Sequence, residues 1–363
     1  MKERIGRREF LRKAGVAALA VPAILHRTSE HSHATNGSST AIPREGKAKT
    51  KRIAVEEHWI VPTGKPLQLP RTSSVNFAEI PQVLPLLANF ELRLPLMDES
   101  GISMQVISAI MPPATDKDTA IAVARRVNDA QAEIIRKYPG RFAAYAMLPA
   151  DYPKEGANEL ERAVTQLGLK RTLIIIKTDG AYLDEQKFWP IWERAEGLGV
   201  PVYLHPADPP AATTTLYEGH PELMGPGWSW TVYAATIVLR IIGAGVLDAF
   251  PKTTLIVGHL GESLPYLLAR LDEGYVMAFK NRKLKRLFSE YIKENMVVTT
   301  SGKYRPEALV CAINAMGADR VLFATDYPYV TPKESVQMVE SSPISDADKE
   351  KIYHLNAERW LKL

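Results

Sequence analysis

From residue 52 onward, short runs of β-branched and other apolar residues alternate with longer stretches in which apolar positions recur every three or four residues. The short runs read as strands buried on both faces and the longer ones as amphipathic helices, the pattern of βαβ units around a parallel sheet. Eight short runs are present: RIAVEEHW (52–59), MQVISAI (104–110), FAAYAML (142–148), TLIIIK (172–177), PVYLHP (201–206), TTLIVGHLG (253–261), NMVVTTSG (295–302) and RVLFATDYPY (320–329). Eight βα units predict an α/β chain folded as a single (β/α)8 barrel of the TIM type, whose reactive groups stand at the C-terminal ends of the strands. A doubly wound open sheet is the alternative, because strand order is harder to read than strand existence. The connection 60–103, with its helical IPQVLPLLANFELRLPLMDES, exceeds an ordinary βα loop. Such an excursion after strand 1 is expected to act as a lid or a subunit contact.

The first 52 residues break this pattern. MKERIGRREFLRKAGVAALAVPAIL has a basic start and an apolar stretch from Ala14 to Leu25, too short to cross a bilayer comfortably. Residues 1–34 therefore read as a signal peptide, with cleavage after Ala34, residues 35–51 as a polar linker and residues 52–363 as the barrel. GRREFLR resembles the twin-arginine export signal, with Arg7-Arg8, Phe10 and Leu11 in place, Gly6 where Ser or Thr is usual and Arg12 for the common Lys. The expectation is a periplasmic or secreted protein that meets the twin-arginine export machinery already folded. An uncleaved tether is the alternative.

Charge follows the same division. Residues 1–52 carry twelve Lys/Arg and four Asp/Glu, net +8; since the whole chain is +4, the body is −4. A mildly acidic body offers no phosphate-neutralising surface, so nucleic acid is not an expected partner. With 46% hydrophobic and 24% charged residues, the chain can build a core around a dry site. The single cysteine, Cys311, excludes an intramolecular disulfide and a thiolate metal cluster, and its helical apolar context reads as core.

Only five histidines lie in the body, and three of them, His58, His205 and His259, end predicted strands. Side chains alternate along a strand, so Glu56 and His58 share one side and Glu57 takes the other. In a barrel the shared side is the interior. Glu56 and His58 from strand 1, His205 from strand 5 and Asp326 from strand 8 then converge at one mouth, a mixed N/O set suited to one divalent ion, Zn or Mn, with room for water or substrate. A lone histidine there would read as an ordinary core residue; four groups at strand ends do not. Glu262, three residues after His259, either fixes the imidazole tautomer for acid/base work or only caps a helix. Arg270 either grips a substrate carboxylate or pairs with Asp272.

These residues carry a resemblance. IAVEEHW, LMDESGISMQVIS, ARRVNDAQAEIIRKYPGRFAAYAMLP, GAYLDEQKFWPIWERAEGLGVPVYLHP, TLIVGHLGESLPYLLARLD, VVTTSG, RVLFATDYPY and NAERWLKL, in that order, resemble the amidohydrolase-related metal-dependent decarboxylases. That group includes γ-resorcylate, 2,3-dihydroxybenzoate and 5-carboxyvanillate decarboxylases and, more distantly, aminocarboxymuconate-semialdehyde decarboxylase. The resemblance implies a barrel of the metal-dependent hydrolase type with Glu56, His58, His205 and Asp326 as ligands, His259 and Glu262 as an acid/base dyad, and Arg270 on a substrate carboxylate. It also implies a reaction, the non-oxidative decarboxylation of a hydroxylated aromatic or similar unsaturated acid, with Asp326 delivering the proton, and assembly as a homodimer or homotetramer.

Two features depart from the group. Strand 4 ends in IIIKTDG rather than an N-G-H-T-N-G-like turn, which places Lys177 near the mouth as a candidate contact to an acidic substrate, and an export signal is unusual for enzymes that work in the cytoplasm. Both keep open a metal-dependent hydrolase of a lactone or amide on the same barrel. A non-catalytic binding protein is a third reading, against which the full set of strand-end ligands weighs.

Overall fold

Each strand of the body runs parallel to its neighbours. A computed structural model describes residues 50–61, 82–111, 114, 116–176, 181–278 and 284–363. The chain divides into two units, Met1–Lys47 and Ala48–Leu363, and the described residues belong to the second. The signal and most of the linker, and Lys177, lie outside the described residues.

The strands are β1 (Ile53–Trp59), β2 (Met104–Ala109), β3 (Phe142–Ala144), β4 (Ala146–Met147), β5 (Thr172–Ile175), β6 (Val202–His205), β7 (Leu255–Val257), β8 (Met296–Thr299) and β9 (Val321–Leu322). They pair in chain order as β1-β2-β3 and β4 through β9. β3 and β4 are two pieces of one barrel strand, interrupted at Tyr145, whose N–H still bonds Ile107 O at 3.0 Å. The ring closes where Val55 N–H donates to Phe323 O (3.0 Å), His58 N–H to Tyr327 O (2.8 Å) and Asp326 N–H to Glu56 O (3.0 Å). The result is the (β/α)8 barrel that eight βα units predict.

The helices cover the barrel because their apolar faces have nowhere else to go. Helix α1 (Val83–Ala88) and helix α2 (Phe90–Glu99) lie in the excursion after β1, and Asn89 between them is extended and caps α2 by accepting from Glu91 N–H at 2.8 Å. Val83 and Leu87 pack on Ile60. Helix α3 (Lys117–Lys137) is capped by Asp116, which accepts from Thr119 N–H, a contribution of about 1 kcal/mol. Helix α4 (Pro153–Leu167) ends at Gly168, whose φ of 74° is a left-handed stop that a side chain would resist. Helices α5 (Trp189–Leu198), α6 (Ser229–Gly243), α7 (Leu264–Ala278), α8 (Phe288–Asn295) and α9 (Pro306–Met316) follow in turn.

Three expectations need correction: of the predicted run 320–329 only Val321–Leu322 is strand, so Asp326 lies in the connection four residues past β9. β7 stops at Val257 rather than 261, because the backbone turns left-handed from His259 onward. Cys311 is only partly buried: it lies midway along α9 and lines a shallow groove with Pro265 and Tyr266.

Candidate metal centre and proton-transfer pair

Strand alternation divides the three polar residues at the end of β1, all of them buried. Glu56 points into the barrel. Its Oε2 accepts from Tyr203 Oη and from Thr299 Oγ1 (3.1 Å), while its Oε1 lies 3.7 Å from His205 Nε2 and 4.0 Å from His259 Nε2. Glu57 points the other way and accepts from Thr325 N–H (2.9 Å), Thr325 Oγ1 (2.7 Å) and Gln105 Nε2 (2.9 Å). Its role, which the sequence leaves unassigned, is to tie β1 to the chain just before Asp326. Burial pushes Glu57 up to about 8, against the hydrogen bonds from Thr325 and the charge of Arg93.

The imidazoles are held by fixed partners. His58 Nδ1 meets Ser108 Oγ at 3.2 Å and its Nε2 meets Asp326 Oδ1 at 3.1 Å. His205 Nδ1 lies 2.8 Å from the carbonyl of Pro206; a carbonyl only accepts, so Nδ1 carries the proton and Nε2 presents a lone pair inward. Burial, with the nearby His58, lowers His205 to about 4, which keeps it neutral, the form that binds metal.

Asp326 sits at φ 67°, a left-handed conformation that Asp tolerates better than most residues. Its Oδ2 is 3.8 Å from His259 Nε2. Burial alone would raise its pKa, but the nearby His259 imidazole and the hydrogen-bonded His58 hold the carboxyl below the usual carboxylate range.

His259 and Glu262 meet through an unusual backbone. Residues His259 (φ 55°), Leu260 (55°), Gly261 (80°), Glu262 (51°) and Ser263 (69°) are all left-handed, at a cost of about 1–2 kcal/mol for each non-glycine residue. Glu262 therefore stands in a left-handed turn and not at a helix start; α7 begins only at Leu264. The turn is secured by Gly261 N–H to Gly258 O (2.8 Å) and His259 N–H to Ser301 Oγ (3.0 Å). It sets His259 Nδ1 2.7 Å from Glu262 Oε1. Burial disfavours the imidazolium, yet the charges of Glu262 and Glu56, the nearby Asp326 carboxylate and the bond to Glu262 raise His259 well above its ordinary value.

These residues fit a bound divalent ion. Ligand atoms of Glu56, His58 and His205 lie within 4.8 Å of one another, as do those of Glu56, His259 and Asp326. Glu56 belongs to both sets, and its buried Oε1, though 3.7 and 4.0 Å from the Nε2 atoms of His205 and His259, has no hydrogen-bond partner among the described residues, a cost that a bound cation would relieve. Carboxylate and imidazole donors together suit Mn or Zn.

Arg270 stands apart from the cluster. It lies on the exposed face of α7, six residues past Leu264 and so about 9 Å along the helix. There it lines an outer groove with Gly243, Leu271, Tyr275 and Phe288 instead of joining the cluster of its own chain. Sequence reasoning also missed residues. Tyr203 and Thr299 both touch Glu56, and Tyr203 was detectable as the residue two before His205 on the same strand face. The ring of Tyr329 lies 5.6 Å from that of His58. A Cβ added at Gly302 would meet His259 Cδ2 at 3.1 Å and Tyr304 Cε2 at 3.2 Å, so Tyr304 walls the His259 side.

A parallel barrel with His and carboxylate ligands at its strand ends defines a metal-dependent barrel enzyme. The family profile for amidohydrolases matches residues 79–363, and the chain belongs to that family. The match begins after β1, so Glu56 and His58 are joined to the centre by the structure itself. The chain is 38% identical over 282 residues to the γ-resorcylate decarboxylase of a Polaromonas species, covering 75% of this chain and 86% of the relative. Among solved structures, 2,6-dihydroxybenzoate decarboxylase complexed with 2,6-dihydroxybenzoate superposes with a TM-score of 0.81 at 34% identity, over 86% of this chain and 100% of the other. The dihydroxybenzoic acid decarboxylase of Polaromonas, with bound manganese and the inhibitor 2-nitroresorcinol, also gives 0.81, at 35% identity over 86% and 97%.

Proposed function

We propose that this chain is a divalent-metal-dependent carboxy-lyase that removes CO₂ from a hydroxylated aromatic acid without net oxidation. The observation that carries the reading is the meeting of a proton-rich His259 with Asp326, 3.8 Å apart, beside the Glu56 oxygen left free for a cation. A metal held by Glu56, His58, His205 and Asp326 would supply a Lewis acid for the carboxylate and the neighbouring phenolic oxygen of the substrate. Manganese, as a single ion, is supported by the mixed donor set and by the manganese in the Polaromonas relative.

The chain's own groups move the proton. Glu262 fixes His259 through Nδ1 and keeps it protonated, with Nε2 facing Asp326 Oδ2 as the proton store; transfer to Asp326 runs uphill, against the shifts of both groups, and yields a strongly acidic carboxyl. Asp326, whose carboxyl holds a proton weakly, passes it to the ring carbon that bears the carboxylate. The bond from that carbon to the carboxyl group then breaks, its electron pair returns to the ring, CO₂ leaves, and water recharges His259. One proton is consumed for each CO₂ released.

The hydrolase alternative is not favoured, because the relatives named above are decarboxylases. Export through the twin-arginine route to the periplasm or beyond is supported by the leader sequence, and self-association by the long excursion after β1. The test is to purify the mature protein, assay its metal, and incubate it with dihydroxybenzoic acids under mass detection. Loss of CO₂ supports the reading; addition of water to a lactone or amide, with no CO₂ from any acid, refutes it.

A further inference from the structure

Three of the four ligand candidates, Glu56, His58 and Asp326, stand on the two segments that meet where the barrel closes. That seam is thin: β1 and β9 belong to separate sheets, joined by one isolated bridge between Glu57 and Tyr327 and the few backbone bonds already given. Into this seam α2 inserts Arg93, a guanidinium only 1% exposed. Its Nη2 donates to the carbonyl of His58, its Nη1 donates to Gln105 Oε1 at 3.1 Å, and its Cζ lies 4.4 Å from the ring centroid of Tyr327, the residue after Asp326. Gln105 in turn donates to Glu57, which accepts from Thr325, the residue before Asp326. A single buried fork thus touches or relays to the neighbours of all three ligands while touching none of their ligating atoms.

A buried cation on a helix face that otherwise buries Met97 is a poor choice for packing alone. The planar fork has a property no aliphatic side chain shares: it fixes two acceptors and an aromatic face at set distances. We propose that Arg93, through Gln105 and Glu57, is the positioning residue that sets the separation of the ligand-bearing strand ends and thereby the metal affinity of the centre. Helix α2 then acts on the site as a clamp behind the ligands. The proposal rests on the metal reading above.

The test uses the full mature chain stripped of metal, titrated with Mn²⁺ by calorimetry and followed by the Mn²⁺ EPR signal. Arg93→Lys keeps the charge and loses the fork; it should weaken Mn²⁺ binding about 10–100-fold, the range for groups that orient ligands, alter the EPR line shape, and regain activity in excess Mn²⁺. Gln105→Leu, which keeps the fork on His58 and cuts the relay to Glu57, should shift affinity the same way by less. A purely structural Arg93 would lower the melting temperature yet leave Mn²⁺ affinity and EPR unchanged well below melting, and that result overturns the clamp. Should Arg93→Lys fail to fold, a folded Gln105→Leu with wild-type affinity overturns it equally. Wild-type protein that binds no Mn²⁺ refutes the metal reading instead, and the clamp with it.

Discussion

Gly258 precedes His259, and its replacement by alanine tests the centre with one methyl group. Its backbone (φ −64°, ψ 178°) suits any residue, so the substitution carries no conformational cost. The cost is contact: a Cβ there would stand 2.7 Å from Tyr203 Oη and 3.2 and 3.4 Å from the two oxygens of Glu56. The first distance is one that real Cβ atoms do not show, so Tyr203 must retreat by several tenths of an ångström and release or drag Glu56. Overpacking of this kind costs about 1–3 kcal/mol. If that strain falls on the ligand position, Mn²⁺ binding weakens by about 10–100-fold, at roughly 1.4 kcal/mol per tenfold. Calorimetric titration of the metal-free protein reads the affinity, and the gain in melting temperature on adding Mn²⁺ reads it independently through ligand linkage. Tyr203→Phe in the same background removes the closest atom and should recover part of the stability, a non-additive pair of the kind contacting residues show. Gly258→Ala with wild-type affinity and a wild-type Mn²⁺-induced gain would refute the reasoning, because the methyl cannot share space with Tyr203 and Glu56 as placed.

Other outcomes follow from the same geometry. Glu56→Gln should lose metal and activity together, whereas Glu57→Gln should still bind metal, with an affinity lowered no more than in Gln105→Leu, while losing about 1–3 kcal/mol of stability through its unbalanced buried bonds; metal analysis and chemical denaturation separate the two. Glu262→Gln removes the charge that raises His259, so the alkaline limb of the kcat–pH profile should move to lower pH. Asp326→Asn should abolish CO₂ release while the circular dichroism of the barrel persists. His205, with a folded pKa of about 4 against 6.5, takes up its proton more readily when unfolded, so its contribution is present above pH 6.5 and lost on acidification toward 4. Metal-free wild type should therefore lose about 3 kcal/mol relative to His205→Asn over that window. Glu57, which titrates in the opposite sense, cancels in the difference; parallel stability curves would contradict the assignment.

Some of this centre was legible in the chain alone. The alternation of side chains along a strand is local and has period 2, so Glu56 with His58 on one face, and Glu57 on the other, could be read from AVEEHWI without knowing any neighbour. The count of eight strands and the placement of His205 and Asp326 near strand ends came from the same kind of local pattern. His259 and Glu262 are three residues apart, close enough that either handedness of turn brings them together. The handedness itself, five left-handed residues in a row, was not legible, because no local propensity favours it over an ordinary helix start. It survives through contacts to Gly258 and Ser301 supplied by the barrel.

Tertiary structure decided the rest. His58 and Asp326 are 268 positions apart and meet only because the barrel closes. Glu57 found its work in Thr325 and Gln105, and Arg93 found His58 and Tyr327, none of which a periodic pattern can announce. Arg270 went the other way: the resemblance assigned it to a substrate, and helical rise carried it to the outer face of α7. Local chemistry determines which way a side chain faces; which groups it then meets is set by long-range packing, where the partners are chosen by burial and closure and leave no periodic trace in the chain.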